Sequence, residues 1–300
     1  MPQWDPEIAV DSALARRLLA EQFPELAKLP VSLLGAGWDN TVYGVGEEWV
    51  FRFPRREIVL MGLETEIDAL SELAPFLPVP IPVPQHVGVP SESFPWPFFG
   101  ARMLPGVELC DAPSTSRERV ATQLAAFLHK LHARDVMDAV GDGLQENWTR
   151  RADMELRVPL TVEKLASVEA LWRAPEHVRA FLDRALALPS PDPTAVCHGD
   201  LHFRHVLVED ERVSGVIDWI DLCRGDPALD LQLVWSVLPP EHRDGFFAIY
   251  GDVDEGTLLR ARVIAVFLST ALLEYAHHEG IASVEREAIA SLDRAASPSL

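Results

Sequence analysis

The sequence predicts an α+β protein of two lobes, and three observations carry that prediction. Strand-like runs crowd the N-terminal part of the chain, helical periodicity dominates from Ser116 onward, and Pro105-Gly106 punctuates the chain between them. Strands followed by helices, segregated in this way, argue for a strand-rich lobe and a mostly helical lobe with a cleft between them. The boundary is placed at 104/105: residues 1–104 form a strand-rich N-terminal lobe with a leading helix, and residues 105–300 a mainly helical C-terminal lobe.

"DSALARRLLAEQF" sets leucines at helical spacing behind an Asp/Ser cap, which predicts an amphipathic helix. "VSLLGAGWDNTVYGVGEEWVFRFPRR" places Val and Phe around polar positions with Gly and Asn between, the pattern of three strands and two turns. "GLETEIDALSELAPFL" returns to helical periodicity. In "LPVPIPVPQHVGVP" the prolines at 78, 80, 82 and 84 exclude a helix and suit a stiff extended connector. "PFFGARMLPGVEL" reads as a strand ending at Pro105-Gly106. "SRERVATQLAAFLHKLHA" is a strong helix, and helices continue to the end apart from short strands around 195–217. "EHRDGFFAIYG", "GTLLRARVIAVFLSTALLEYAHH" and "VEREAIASLDRAA" are among them. Trp235, Phe246, Phe247 and Tyr250 fit core positions.

A phosphate-backbone binder needs a clustered positive face, and the formal net charge of −20 argues against one, so nucleic acid is not an expected partner. Such a charge favours cationic ligands, although it also suits an ordinary acidic soluble protein. Cys110, Cys197 and Cys223 lack CxxC spacing, so neither a disulfide framework nor a zinc site is expected. The start has no basic segment leading into an apolar one, and the apolar run Val263 to Leu273 is short for a membrane span. The expectation is a cytoplasmic monomer without a membrane partner.

The chemistry concentrates in "AVCHGDLHFRHVLVED" and "RVSGVIDWIDL". The order is strand, His-Gly-Asp, a polar loop reaching His205, strand, strand, Asp218. It sets Asp200 and Asp218 at one end of a small sheet, where loops converge. Phosphoryl transfer needs one carboxylate to orient the acceptor hydroxyl and take its proton, and another to hold the metal ions that neutralise the phosphates. The arrangement is similar to the protein-kinase pair H-R-D-x4-N and D-F-G, with Gly199 in place of Arg and Trp219 in place of Phe. "GDLH" also suits a binuclear metallophosphoesterase, but the later Asn-His-Asp/Glu and Gly-His-x-His strings that such a site requires do not occur.

A kinase-like site needs a loop over the phosphates, a cation on the third strand and a carboxylate to hold it. "GAGWDNTVYGV" supplies the hairpin, with Gly37 and Asn40 as its candidate contacts. The only lysines are Lys28, Lys130 and Lys164, none on a strand of that lobe. Arg52, the polar residue inside "WVFRFPR", takes the expected place; its forked, permanent charge suits phosphate oxygens. Glu66 is its candidate partner, and Glu64 the alternative.

These residues resemble the aminoglycoside phosphotransferase family of small-molecule kinases. "HGDLHFRHVLV", "GVIDWIDLCRGDPALDL", "LHKLH" and the "GWDN…FRFPR" hairpin carry the resemblance over roughly residues 30–250. It implies a protein-kinase-like fold, a nucleoside triphosphate as partner, and transfer of its γ-phosphoryl to a hydroxyl of a small, cationic acceptor of the aminoglycoside or macrolide type. Asp200 would be the catalytic base, Asp218 and His205 the ligands of Mg2+, and Asp230 a brace of the catalytic loop. Ala101, Arg102, Met103 and Leu104 would form the hinge that reads the base. Most members have Asn where this chain has His205. The macrolide kinases and one class of aminoglycoside kinases, which tend to use GTP, also have His, so ATP and GTP both stay open as donors. Asp221, Glu274 and Glu279 are the acidic candidates for the acceptor. His202 fits a packing role and His198 a loop brace. The alternative function is a nucleotide-binding regulatory module of the same fold, against which stand the intact Asp200 and Asp218.

Overall fold

The computed structural model describes residues 6–298. They divide into two compact units. The first runs to Pro75 and resumes over Ile81–Leu104; the second comprises Phe76–Pro80 and the chain from Pro105 onward.

In the first unit, helix α1 (Ser12–Gln22) begins where the Asp11 carboxylate accepts from the Ala13 and Leu14 amides, satisfying donors that a helix start leaves open. Strands β1 (Val31–Ala36), β2 (Asn40–Val45) and β3 (Trp49–Pro54) follow, then α2 (Leu60–Leu73), β4 (Pro84–Gly88) and β5 (Phe98–Arg102). They form one antiparallel sheet in the order β1-β2-β3-β5-β4. Alternation along β3 sends Phe51 and Phe53 into a core with Tyr43, Phe94, Phe98 and Leu18 of α1, and Arg52 to the opposite face. The proline-rich segment is not a connector throughout: its second half is β4. Pro84 opens that strand, and β4 lies at the sheet edge, where a missing amide costs no ladder bond.

The second unit contains β6 (Val107–Glu108), α3 (Arg117–Leu131), α4 (Arg134–Val140), α5 (Met154–Ser167), α6 (Glu176–Ala185), β7 (Ala195–Cys197), β8 (Val206–Glu209), β9 (Arg212–Val216), β10 (Cys223–Gly225), α7 (Ala228–Ser236), α8 (Arg243–Tyr250), α9 (Glu255–Glu279) and α10 (Ala282–Ala296). β7 pairs with β10, and β6, β8 and β9 form a second small sheet. Strands β6 and β10 are too short to leave a periodic signal. Trp235 and Phe246 are core residues, as their setting predicts.

α9 is 25 residues long, and by length and composition it is apolar enough to cross a membrane. The shorter run read from the sequence understates it. In this unit it is the central helix, packed against α5, α7 and α10. Gly280, at φ 71°, ends it in the left-handed conformation that glycine adopts without strain.

Gly100 on β5 faces the Phe51 ring so closely that an added Cβ would lie 2.4 Å from it. Gly100→Ala is expected to lower unfolding free energy by about 1–3 kcal/mol, the usual cost of overpacking. Urea denaturation measures it; an unchanged midpoint would show that the Phe51 ring gives way freely.

Candidate active site

The two small sheets of the second unit hold two loops between them. One, 198–205, runs from β7 to β8; the other, 217–222, runs from β9 to β10. Pairing of Cys197 with Cys223 ties the loops at one end. At the other, the Ile217 amide donates to the His205 carbonyl at 2.9 Å. Asp200 and Asp218 are thereby brought into one neighbourhood.

Behind the first loop lies Asp230, at the start of α7 and fully buried. Its carboxylate accepts from the backbone amides of His198 (2.8 Å) and Gly199 (2.9 Å), and from His132 Nε2 at 3.0 Å. The His132 ring also meets the Tyr250 hydroxyl through Nδ1 at 2.8 Å. Gly199, at φ 87°, is obligatory: a Cβ there would stand 2.3 Å from the Asp221 carbonyl oxygen. This explains why the position filled by Arg in the kinase pattern is glycine here.

His198 braces the loop by backbone bonds. Its Nε2–H donates to the Ile217 carbonyl at 3.0 Å, and its Nδ1 accepts from the Asp200 amide at 3.3 Å. Burial pushes its pKa down to about 4. His202 packs against the His205 ring with centroids 3.8 Å apart, and its Nδ1 accepts from the Arg204 amide. Burial and the neighbouring His205 and Arg204 charges hold it neutral as well.

Asp200 Oδ1 lies 3.2 Å from Arg151 Nη1, and Asp200 Oδ2 lies 3.8 Å from His202 Nε2. Burial raises the Asp200 pKa to about 7; the Asp221 and Asp218 carboxylates add to the rise, while Arg151 and His205 oppose it. A carboxylate tuned in that direction is a better proton acceptor than an ordinary one. Arg151 also donates to the Asp221 carboxylate at 2.8 Å. The charge of Asp221 is thus engaged, and an acceptor ammonium would have to compete with a guanidinium for it.

Asp218 adopts a left-handed backbone at φ 66°, uncommon for a residue with a side chain and tolerated best by Asp and Asn. Its Oδ2 is 3.3 Å from His205 Nε2. His205 Nδ1 faces the Asp200 carbonyl at 2.8 Å; a carbonyl can only accept, so Nδ1 carries the hydrogen and Nε2 is the atom able to ligate. Burial works against a charge on His205, but the Asp218 carboxylate together with the charge and carbonyl of Asp200 outweighs it and raises the pKa. Neighbouring ligands of a six-coordinate Mg2+ stand roughly 3 Å apart at metal–oxygen distances of about 2.1 Å. The Asp218–His205 pair fits that spacing, with the carboxylate as the hard donor and imidazole as the weaker one.

In the first unit, Arg52 is 6% exposed and pairs with fully buried Glu66. It is on an interior strand, flanked by Val42 and Phe99, and its guanidinium lies 5.5 Å from the centre of the Phe99 ring. This excludes a solvent-facing edge residue and selects Glu66 over Glu64. The β1–β2 turn is closed by the Gly37 amide donating to the Asn40 carbonyl at 2.9 Å, and Arg55 donates to the Gly37 carbonyl. Along the proposed hinge, Ala101 is buried beside Val50. Arg102 stacks on Trp49 at 4.1 Å and pairs with Glu48. The Met103 amide donates to the Glu48 carbonyl at 2.7 Å and so is engaged beside the sheet. Glu274 on α9 pairs with Lys164 on α5, and an acceptor cation would have to displace that ammonium.

Sequence reading missed two contributors. Arg151 sits in "NWTRRADM", where nothing local separates it from Arg150. His132 closes the "LHKLH" motif, but its contacts with Asp230 and Tyr250 arise only when α3, α7 and α8 assemble.

One unit built on an antiparallel sheet with a buried Arg–Glu pair, and one mainly helical unit with two carboxylates on braced loops, are the parts of a protein-kinase-like phosphotransferase fold. Residues 30–264 match the phosphotransferase enzyme family, and the chain belongs to it. Viomycin phosphotransferase of Streptomyces vinaceus is 31% identical over 248 residues, which cover 79% of this chain and 84% of that protein. The macrolide 2'-phosphotransferase of Brachybacterium faecium, solved as the apoenzyme, superposes with a TM-score of 0.59 and 27% identity over 95% of this chain and 98% of its own. The GDP complex of aminoglycoside 2'-phosphotransferase-IIIa has the same fold, with a TM-score of 0.69 and 23% identity over 96% and 99% of the two chains.

Because unfolded histidine takes a proton near pH 6.5 and His198 in the fold only near 4, the unfolded state binds more protons below 6.5. Stability is therefore expected to fall as pH drops from 6.5 to about 4, by up to ~3 kcal/mol from this group, and to level off below. His198→Gln should be less stable at pH 7 but show a shallower fall over that window in a denaturation series. An identical slope would remove His198 from the acid response.

Proposed function

We propose that this phosphotransferase is a small-molecule kinase that moves the γ-phosphoryl group of ATP or GTP to a hydroxyl of a small, cationic acceptor of the antibiotic type. The observation that carries the reading is the joint placement of Asp200 on the braced loop and of Asp218 beside His205. Three features support a cationic acceptor: the net charge of −20, the relationship to a viomycin phosphotransferase, and the likeness to a macrolide kinase.

Asp200 accepts the proton of the acceptor hydroxyl as the hydroxyl oxygen bonds to the γ-phosphorus. The bond from phosphorus to the bridging oxygen breaks, and the nucleoside diphosphate leaves with that electron pair. Arg52, held by Glu66, supplies a fixed positive charge for phosphate oxygens. Asp218 and His205 are the residues that would hold Mg2+, which when bound neutralises phosphate charge.

A panel of viomycin-type peptides, aminoglycosides and macrolides, each with ATP and with GTP, tests the reading through nucleoside diphosphate release. Acceptor-stimulated release with a phosphorylated product supports it; a panel without turnover in either donor overturns the acceptor class. In the active pairing, Asp200→Asn should lose about 10²–10⁴-fold in turnover while nucleotide binding is largely retained. Near wild-type turnover would remove Asp200 as the base.

Asp218→Ala should abolish the dependence of nucleotide affinity on Mg2+. Titrations with and without the ion measure it, and an undiminished Mg2+ effect would sink the metal role.

A further inference from the structure

We infer that Arg151 is the positioning residue of the transfer step: its charge, facing Asp200 Oδ1 at ion-pair distance, sets the carboxylate so that Oδ2 is the oxygen that meets the acceptor hydroxyl. The inference rests on the reading of Asp200 as the base. One nitrogen, Nη1, donates to the Gly199 carbonyl at 2.6 Å and to the Asp221 carboxylate at 2.8 Å, and stands 3.2 Å from Asp200 Oδ1. Its two hydrogens thus join the backbone of the first loop to the carboxylate of the second, and its charge faces the Asp200 carboxylate between them. Oδ1 is sealed from solvent and accepts no hydrogen bond among the described residues, so the guanidinium charge is what faces it, while the Asp200 side chain as a whole keeps 20% of its exposure. The guanidinium also pairs the buried Asp221 carboxylate.

The segment carrying Arg151 is built to aim it. Arg150, immediately before, has a left-handed backbone at φ 49°, a conformation that a long side chain adopts only where its surroundings impose it. Arg157, 5% exposed on α5, donates to the Thr149 carbonyl at 3.3 Å and the Arg151 carbonyl at 3.2 Å, holding both sides of that residue. Asn147 Oδ1 accepts from the Arg151 amide at 3.0 Å. The Arg157 guanidinium is itself stacked 4.1 Å from the Phe267 ring centre. A surface arginine would need none of this support.

The test compares Arg151→Met, Arg151→Lys and Arg157→Met with the wild type in steady-state kinetics and in crystal structures. Arg151→Met is expected to lower kcat about 10²-fold, the loss that a displacement of about 1 Å produces, with the KM for nucleotide little changed. Lysine should restore part of that loss, because it keeps a cation near Oδ1. Arg157→Met, which leaves Arg151 itself in place, should give a smaller loss of the same kind. In the Arg151→Met crystal the Asp200 carboxylate should be turned from its wild-type direction. An unmoved carboxylate, or an unchanged kcat, overturns the inference. If the wild type phosphorylates nothing in the panel, the proposed function has failed, and the crystal structures still decide what Arg151 holds. If Arg151→Met does not fold, the lysine variant and Arg157→Met are read in the same way.

Discussion

The buried carboxylate of Asp230 is the interaction on which the site depends. Two consecutive backbone amides, those of His198 and Gly199, point at it, and His132, just past the end of α3, completes its shell. A loop that turns its amides inward has given up its ladder bonds, and buried amides without acceptors each cost roughly 1–3 kcal/mol. Asp230 supplies the acceptors in one group. It fixes the path of the backbone one residue before Asp200, and so the direction in which that side chain leaves the loop.

Strain is stored around the same carboxylates. Gly199, Asp218 and Arg150 all have positive φ, and each lies within or next to a residue that the site uses. At Gly199 the strain is absorbed by the absence of a side chain. At Asp218 it is met by the ion pair with His205 and at Arg150 by the Arg157 bonds to the flanking carbonyls, since conformations of this kind cost on the order of 1–3 kcal/mol and persist where the surroundings over-determine them. A loop held this way needs little rearrangement when charge develops, which is the condition for electrostatic stabilisation of a transition state.

The first unit solves a different problem, that of keeping a cation inside a sheet. Arg52 occupies an interior strand, where a charge out of water is costly unless it is paired. Glu66 pairs it, and the face of Phe99 covers it from the neighbouring strand. The aromatic core on the other side of the sheet, from Tyr43 to Phe98, holds the strand that presents it.

The sequence by itself determined whatever is written in short-range spacing. Alternation of period two placed Arg52 against the apolar residues of β3, helical periodicity marked α1, α2, α3 and α9, and the His-Gly-Asp and Ile-Asp-Trp strings located both carboxylates. These are local constraints of backbone geometry and turn chemistry, and they hold wherever the segment ends up. Tertiary structure alone decided which charge meets which. It made the segment after the prolines an edge strand, committed the Met103 amide to Glu48, gave Asp221 to Arg151, and turned a long apolar helix into the centre of a unit. An ion pair between residues far apart in the chain leaves no periodic trace, because its energy depends on the burial and distance that only the packed fold supplies.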